Sequence, residues 1–167
     1  MCGVEALDKM KCEICKCKTH VIHINEKHEK VCSGCSMKFI NPTGGKIRND
    51  KGGLGHHGAP RGSRKHDGVD FSCVEGQDVL MPVDGIISRE SLPYHDDLRW
   101  RGVQVVSQRI EIKMWYLKPF PDVIGLKLKA GTPIGKAQNI GTKNGYGYVT
   151  PHIHLRIIKC DPMLLFT

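Results

Sequence analysis

His66-Asp67-Gly68-Val69-Asp70 and the distant His152-Ile153-His154 are the two most informative stretches of this chain. The first places an imidazole and a carboxylate four residues apart, with a glycine between them. The second places two imidazoles at positions i and i+2, a spacing that puts both side chains on one face of a β-strand. Three of these groups suffice to hold a zinc ion and leave its fourth position open, which distinguishes a catalytic zinc from a closed structural one.

The composition indicates a mainly β protein with a small hydrophobic core. Its 167 residues include nineteen glycines and nine prolines, which is typical of short strands joined by turns. The formal net charge of +8 favours a polyanionic partner, either nucleic acid or an acidic cell-wall polymer, and does not choose between them. No stretch approaches the roughly 20 apolar residues that span a bilayer. The N-terminus lacks the apolar segment that a secretory signal peptide contains. We therefore expect synthesis in a bacterial cytoplasm.

Two C-x2-C pairs near the N-terminus, Cys12 with Cys15 and Cys32 with Cys35, predict a zinc ribbon over residues 1–41. In such ribbons four thiolates converge on one tetrahedral ion, and the small module depends on that ion to fold. Four thiolates suit iron as well as zinc, so the sequence leaves this choice open. Lysines and glutamates alternate between the pairs, and no Trp or Tyr is present there for base stacking. This favours a docking or structural role over nucleic-acid binding.

Glycine, proline and arginine dominate the next segment, and we expect a linker at residues 42–51 followed by a second domain at 52–167. The loop just before His66 is expected to line the site. From Val69 onward the pattern predicts short strands separated by turns, without a helical stripe. The clearest predicted strands cover residues 78–82, 85–88, 103–106, 110–117 and 152–158.

Four motifs together resemble the lysostaphin/LytM-type zinc metallopeptidases. They are H-x-G-x-D at His66, Met81-Pro-Val-Asp-Gly-Ile-Ile87, the A-G-x-x-I-G run from Ala130, and the final H-x-H. The resemblance covers about residues 47–167 and implies an antiparallel β fold and peptidoglycan endopeptidase activity. The run 55–66 is similar to phage-encoded members. The stretches 113–119 and 158–162 resemble the leukocyte-derived chemotaxin branch, whose secreted vertebrate member is regarded as a signalling ligand.

The resemblance also assigns roles to individual residues. His66, Asp70 and His154 are the implied zinc ligands, and His152 is the implied general base and later general acid. Tyr116 stands where the family peptidases carry a second histidine. With a pKa of about 10, a phenol is no base near pH 7, but it can donate a hydrogen bond to the oxyanion of a tetrahedral intermediate. From its position alone, Arg61 is expected to hold a substrate carboxylate.

The leading hypothesis is therefore a zinc-dependent peptidoglycan endopeptidase with one catalytic and one structural zinc. The expected setting is a phage virion, in which the protein is a tail-tip or baseplate component that opens the host wall during infection. Phage tail proteins are then its partners, and it acts at the host cell wall. The alternative is a catalytically impaired, zinc-bound structural or wall-binding module of a phage tail assembly. Nucleic-acid binding through the ribbon is the weakest hypothesis.

Overall fold

The computed structural model describes residues 10–11, 18–19, 22–24, 30–32, 39–107 and 110–160. Near the N-terminus it contains two short antiparallel pairs: β1 (Met10–Lys11) with β2 (Lys18–Thr19), and β3 (Ile22–Ile24) with β4 (Lys30–Cys32). Cys12, Cys15 and Cys35 lie outside the described residues, and Cys32 is described only as part of the β4 backbone. The four-cysteine site therefore stays a prediction.

The rest of the described chain consists of strands and two short 3-10 helices. The helices are Pro121–Val123 and Ile140–Thr142, and no helix in the described ranges is long and apolar enough to cross a membrane. The strands are β5 (Asn49–Asp50), β6 (Gly53–Leu54), β7 (Pro60–Arg61), β8 (Arg64–Lys65), β9 (Val69–Ser72), β10 (Asp78–Leu80), β11 (Gly85–Glu90), β12 (Gly102–Ser107), β13 (Ile110–Trp115), β14 (Leu117–Pro119), β15 (Lys127–Leu128), β16 (Pro133–Ala137) and β17 (His152–Cys160).

Two antiparallel sheets enclose one hydrophobic core. The larger sheet has six strands in the order β15-β11-β12-β13-β17-β9, and the smaller has three in the order β10-β16-β14. Residues on β13 alternate between the core and the outer face, so that Ile112 and Met114 are fully buried. Val79 and Ile134 of the smaller sheet join the same core cluster. The prediction of a mainly β, antiparallel fold is confirmed.

The predicted strand over residues 110–117 is interrupted at Tyr116, which has a φ of 70°. This left-handed conformation is rare for a bulky residue and costs on the order of 1–3 kcal/mol. It turns the chain out of the six-stranded sheet: Trp115 pairs with His154 in that sheet, whereas Leu117 pairs with Ala137 in the smaller one. Tyr116 is therefore the corner between the two sheets.

Residues 42–51, which their composition suggested as a linker, are hydrogen-bonded to the sheets. The carbonyl of Lys46 accepts from the Ser72 amide at 2.9 Å, and the Arg48 amide donates to the Asp70 carbonyl at 2.9 Å. Gly45 is needed for this contact, because a Cβ there would lie 1.9 Å from the Ser72 carbonyl oxygen. Gly45 thus serves close packing against β9.

Ile153 anchors β17, the strand that carries both histidines of the H-x-H motif. Its side chain is fully buried and points to the core, opposite to the two imidazoles. Ile153→Ala is expected to lower the free energy of unfolding by about 2–5 kcal/mol, because it leaves a cavity in a packed core. Urea denaturation measures this loss. Ile157→Ala on the same strand, where the side chain is 49% exposed, is the control, and an equal loss in both variants would contradict the assignment.

Candidate metal centre

The pairing of β9 with β17 brings the two sequence motifs together. In this register Asp70 lies opposite His154 and Ser72 lies opposite His152. His152 and His154 share one face of β17 because side chains alternate along a strand. His66 approaches from the loop between β8 and β9. The structure thus gathers His66, Asp70 and His154 into one buried group whose ligand atoms all lie close together.

The three ligand atoms have the spacing of a metal site. Nε2 of His66 lies 3.0 Å from Nδ1 of His154 and 3.1 Å from Oδ1 of Asp70, and the latter two atoms are 2.9 Å apart. Around a tetrahedral zinc with bonds of about 2.0 Å, neighbouring ligand atoms are about 3.3 Å apart. Two imidazoles and one carboxylate are also the donors that zinc takes in catalytic sites. The residues present therefore fit a zinc ion.

The tautomer of His66 supports the same conclusion. Its Nδ1–H donates to the backbone carbonyl of His56 at 2.9 Å, because a carbonyl can only accept. The lone pair of Nε2 consequently points at His154 and Asp70. An imidazole lone pair and a carboxylate oxygen directed at one place are an arrangement that a divalent cation satisfies.

Asp70 is held by a buried arginine that the sequence analysis did not identify. Its Oδ2 accepts from Nε of Arg48 at 3.2 Å and from Nη2 at 3.1 Å, while Oδ1 faces the histidines. Burial alone would raise the pKa of Asp70, but the hydrogen bond with His154 and the charges of His152 and His154 outweigh it and hold the pKa well below its usual range. Asp70 is thus a buried anionic carboxylate. No local pattern marks Arg48, which is 22 residues away in the chain.

Arg61 lies at the same carboxylate. Its Nη2 donates to the backbone carbonyl of Leu54 at 2.7 Å and to Asp70 Oδ2 at 3.3 Å. The guanidinium therefore already has protein partners, although it still lines the cavity beside the metal centre. Its predicted contact with a substrate carboxylate remains a proposal.

His152 lies beside the three ligands. Its Nδ1–H donates to the carbonyl of Thr150 at 2.7 Å, so its Nε2 carries the lone pair and lies 3.7 Å from Oδ1 of Asp70. Burial lowers the pKa of His152, partly offset by the charge of Asp70. A neutral imidazole with its lone pair directed into the site is suited to accept a proton.

Tyr116 packs edge-on against the ring of His152, with centroids 5.2 Å apart. Its hydroxyl lies 3.2 Å from that of Tyr94. Burial raises the pKa of Tyr116 above its ordinary value, so the phenol stays protonated at neutral pH. The structure thus brings Tyr116 into contact with His152.

A cavity of about 520 Å³ opens above these side chains. Trp115, which the sequence analysis did not single out, forms part of its wall and stacks on the ring of His154 with centroids 5.2 Å apart. Arg64 and Arg156 stand at the cavity, the latter paired with Asp67 at 2.9 Å. The cavity is therefore lined by aromatic and cationic groups around the metal centre.

Gly68 explains the glycine of the H-x-G-x-D motif. A Cβ at this position would lie 2.5 Å from the Leu155 carbonyl oxygen and 2.7 Å from Cε1 of His154. Gly68→Ala is therefore expected to displace His154 and weaken zinc binding more than about 10-fold, the effect of losing an outer-shell partner. Competition with a chromophoric chelator measures the affinity. Gly147→Ala, whose Cβ meets nothing within 4 Å, is the control, and equal affinities would contradict the packing argument.

Comparison with known proteins identifies relatives of this chain. No family model matches it. Leukocyte cell-derived chemotaxin-2 from Bos taurus is 31% identical over 134 residues, which are 78% of this chain and 80% of the relative. The chain belongs to the leukocyte cell-derived chemotaxin-2 family. Myeloid protein 1 from Gallus gallus is 32% identical over 142 residues, covering 78% of this chain but only 38% of that relative.

Solved structures share the fold of this member of the chemotaxin-2 family at lower identity. A zinc-containing peptidase from Vibrio cholerae aligns with a TM-score of 0.51 and 16% identity, covering 83% of this chain and 45% of that one. The antimicrobial peptidase lysostaphin from Staphylococcus simulans aligns with a TM-score of 0.50 and 20% identity. This alignment covers 64% of this chain and 42% of the lysostaphin chain. The chain thus spans less than half of these two structures. They confirm the predicted LytM-type fold.

Proposed function

We propose that this chain is a zinc-dependent peptidoglycan endopeptidase that hydrolyses amide bonds in the peptide cross-links of bacterial cell walls. The supporting observation is the site itself: His66, Asp70 and His154 have their ligand atoms within 2.9–3.1 Å of one another, and His152 stands beside them with a free lone pair. A site of three protein ligands with an open side is typical of catalytic zinc. The activity named for the solved proteins that share the fold points to the same reaction class.

Each residue beside the metal ligands has a separate task in this reaction. Zinc, when bound, supplies Lewis-acid activation of a water molecule and of the scissile carbonyl. Nε2 of His152 accepts the proton of the attacking water and returns it to the leaving amine nitrogen, so that the C–N bond breaks as a neutral amine departs. The Tyr116 hydroxyl donates a hydrogen bond to the oxyanion of the tetrahedral intermediate. The Arg48 guanidinium donates two hydrogen bonds to Oδ2 of Asp70 and so holds this carboxylate with Oδ1 toward the histidines.

The cationic wall of the cavity favours a substrate that carries a carboxylate near the cleaved bond. Arg61, Arg64 and Arg156 line the cavity, and Arg64 is an exposed side chain. An arginine fork binds a carboxylate through two parallel hydrogen bonds. We propose that Arg61 contributes to this contact from its place beside Asp70. Stem peptides with free carboxylates match this wall better than a neutral glycine bridge.

Digestion of purified peptidoglycan sacculi tests the proposed function. Zinc-loaded protein is expected to release muropeptides with new amine termini, which mass spectrometry identifies together with the bond cleaved. Protein treated with a chelator is expected to release none, and zinc is expected to restore release. Intact sacculi of several cross-link types after incubation with folded, zinc-loaded protein would contradict the proposal.

The setting that we propose is a phage particle, with the protein in the tail tip or baseplate and acting at the host wall. Its support is the similarity of residues 55–66 to phage-encoded members of the LytM-type family. In the same assembly the predicted four-cysteine ribbon would hold a second, structural zinc and dock the domain to a tail protein. Peptides of this chain in purified virions would support the setting, and their presence in the lysate but not in virions would contradict it.

Tyr116 favours a second candidate function, a zinc-bound structural or wall-binding module without turnover. A buried phenol with a raised pKa cannot replace the basic nitrogen of a histidine. Membership of the chemotaxin-2 family is consistent with this candidate. Co-sedimentation with intact sacculi, in the absence of any released muropeptide, would favour it over the endopeptidase.

A further inference from the structure

Asp50 joins two segments of the chain that both lead to the metal centre. Its side chain is 11% exposed. Oδ1 accepts from Nη1 of Arg48 at 2.6 Å and from the Gly52 amide at 2.8 Å, and Oδ2 accepts from the Thr150 amide at 2.7 Å. One carboxylate thus ties the hairpin β5–β6 to the residues that precede β17, 100 positions away.

Two of the three partners of Asp50, Arg48 and Thr150, also contact residues of the candidate site. The other nitrogens of the Arg48 guanidinium, Nε and Nη2, donate to Asp70, the anionic metal ligand. The carbonyl of Thr150 accepts from Nδ1 of His152 at 2.7 Å and so determines that the lone pair is on Nε2. Asp50 touches neither residue, yet it lies one contact from both.

Close packing shows that the two segments are fitted to each other. A Cβ on Gly52 would lie 2.8 Å from Cγ2 of Val149, and 3.1 Å from Oδ1 of Asp50. A side chain at position 52 would therefore press on Val149, so the hairpin turn lies directly against the residues before β17. The Arg48 side chain, which connects Asp50 to the ligand, is buried. A buried arginine shared by two carboxylates has little freedom to move, because each lost contact leaves a charge unpaired.

We propose that Asp50 is a positioning residue that couples the orientation of the metal-ligand carboxylate to that of the proton-accepting histidine. It holds the Arg48 guanidinium against Asp70 and the Thr150 carbonyl against His152 at the same time. The catalytic half of this inference rests on the proposed endopeptidase function, whereas the metal-binding half does not. Asp50 is assigned no contact with substrate.

Three variants test the coupling in the full-length protein. Asp50→Asn removes the charge and replaces one acceptor oxygen by a donor group. It is therefore expected to disturb both the contact with Arg48 and the contact with the Thr150 amide. Arg48→Lys keeps a positive charge but lacks the planar guanidinium that bridges two carboxylates. It is therefore expected to disturb only the hydrogen bonds to Asp70. Asp78→Asn is the matched control, because Asp78 forms an exposed ion pair with Lys136 on the smaller sheet.

Two measurements report separately on the contact path from Asp50 through Arg48 to Asp70 and on the path from Asp50 through Thr150 to His152. Neither measurement depends on activity. Chelator competition gives zinc affinity, which is expected to fall about 10-fold in Asp50→Asn and in Arg48→Lys and to stay unchanged in Asp78→Asn. Two-bond 15N–1H correlation spectra of the zinc-loaded protein report the His152 tautomer. We expect one Nδ1–H tautomer in the wild type, in Arg48→Lys and in Asp78→Asn, and a tautomer mixture in Asp50→Asn. If hydrolysis is observed, kcat is expected to fall in Asp50→Asn with KM unchanged.

The proposal is overturned if Asp50→Asn matches Asp78→Asn in both measurements. The coupling is also overturned if zinc affinity alone changes, since Asp50 then acts only through Arg48. Should Asp50→Asn fail to fold, Asp50→Glu keeps the charge but moves the carboxylate away from the Thr150 amide; a wild-type tautomer in that variant overturns the proposal. Absence of hydrolysis in the wild type, with the expected affinities and tautomers, would refute the proposed function and leave the positioning role supported.

Discussion

The His154→Ala variant is expected to lose one zinc ion per chain relative to the wild type. In the proposed zinc site His154 supplies one of three ligand atoms, and His66 and Asp70 alone would be too few for a catalytic zinc site. The affinity should fall by more than the roughly 10–100-fold that follows removal of an outer-shell partner. Elemental analysis after exhaustive dialysis measures the stoichiometry as a difference between variants, so a structural zinc elsewhere in the chain does not affect the result.

His95→Ala is the control for this loss, because His95 lies outside the metal centre, on the loop that follows β11. Cobalt substitution provides a second readout, since ligation by two imidazoles and a carboxylate gives visible bands unlike those of four thiolates. These bands are expected in the wild type and in His95→Ala and absent from His154→Ala. Retention of the full zinc content by His154→Ala would exclude the proposed ligand set.

The His152→Ala variant is expected to keep its zinc and lose hydrolysis of sacculi by about 10²–10⁴-fold, the usual contribution of general acid–base catalysis. The reason is geometric: Nε2 of His152 faces the site, but the proposed ligand atoms belong to His66, Asp70 and His154. The rate of muropeptide release at equal zinc occupancy measures the effect. The pair His152→Ala and His154→Ala therefore separates proton transfer from metal binding.

Two results would contradict the role of His152. Loss of zinc in His152→Ala would make it a ligand rather than a base. Undiminished hydrolysis in the zinc-loaded variant would assign proton transfer to another group. Tyr116 is no candidate for that task, because its burial raises a pKa that is already too high for a base at neutral pH.

Much of the site was predictable because its residues lie on regular structure with a fixed side-chain period. The i, i+2 spacing of His152 and His154 requires that both imidazoles share one face of β17, whatever the rest of the fold. The strands with alternating apolar residues, such as β13, were visible for the same reason. Gly68 belongs to this class as well, since the motif required a glycine, although only the structure shows that the His154 ring occupies the space of its Cβ.

Three features came only from the tertiary structure. Arg48 and Asp50 acquire their meaning from partners 22 and 100 residues away, Asp70 and Thr150, and no local pattern encodes such contacts. The alternating pattern predicted one strand over residues 110–117, but the strand ends before Tyr116. The pairing gained when the chain enters the smaller sheet at Leu117 outweighs the conformational cost of the positive φ at Tyr116. Local periodicity thus determined which side chains share a face, whereas long-range packing decided how those side chains are oriented and held.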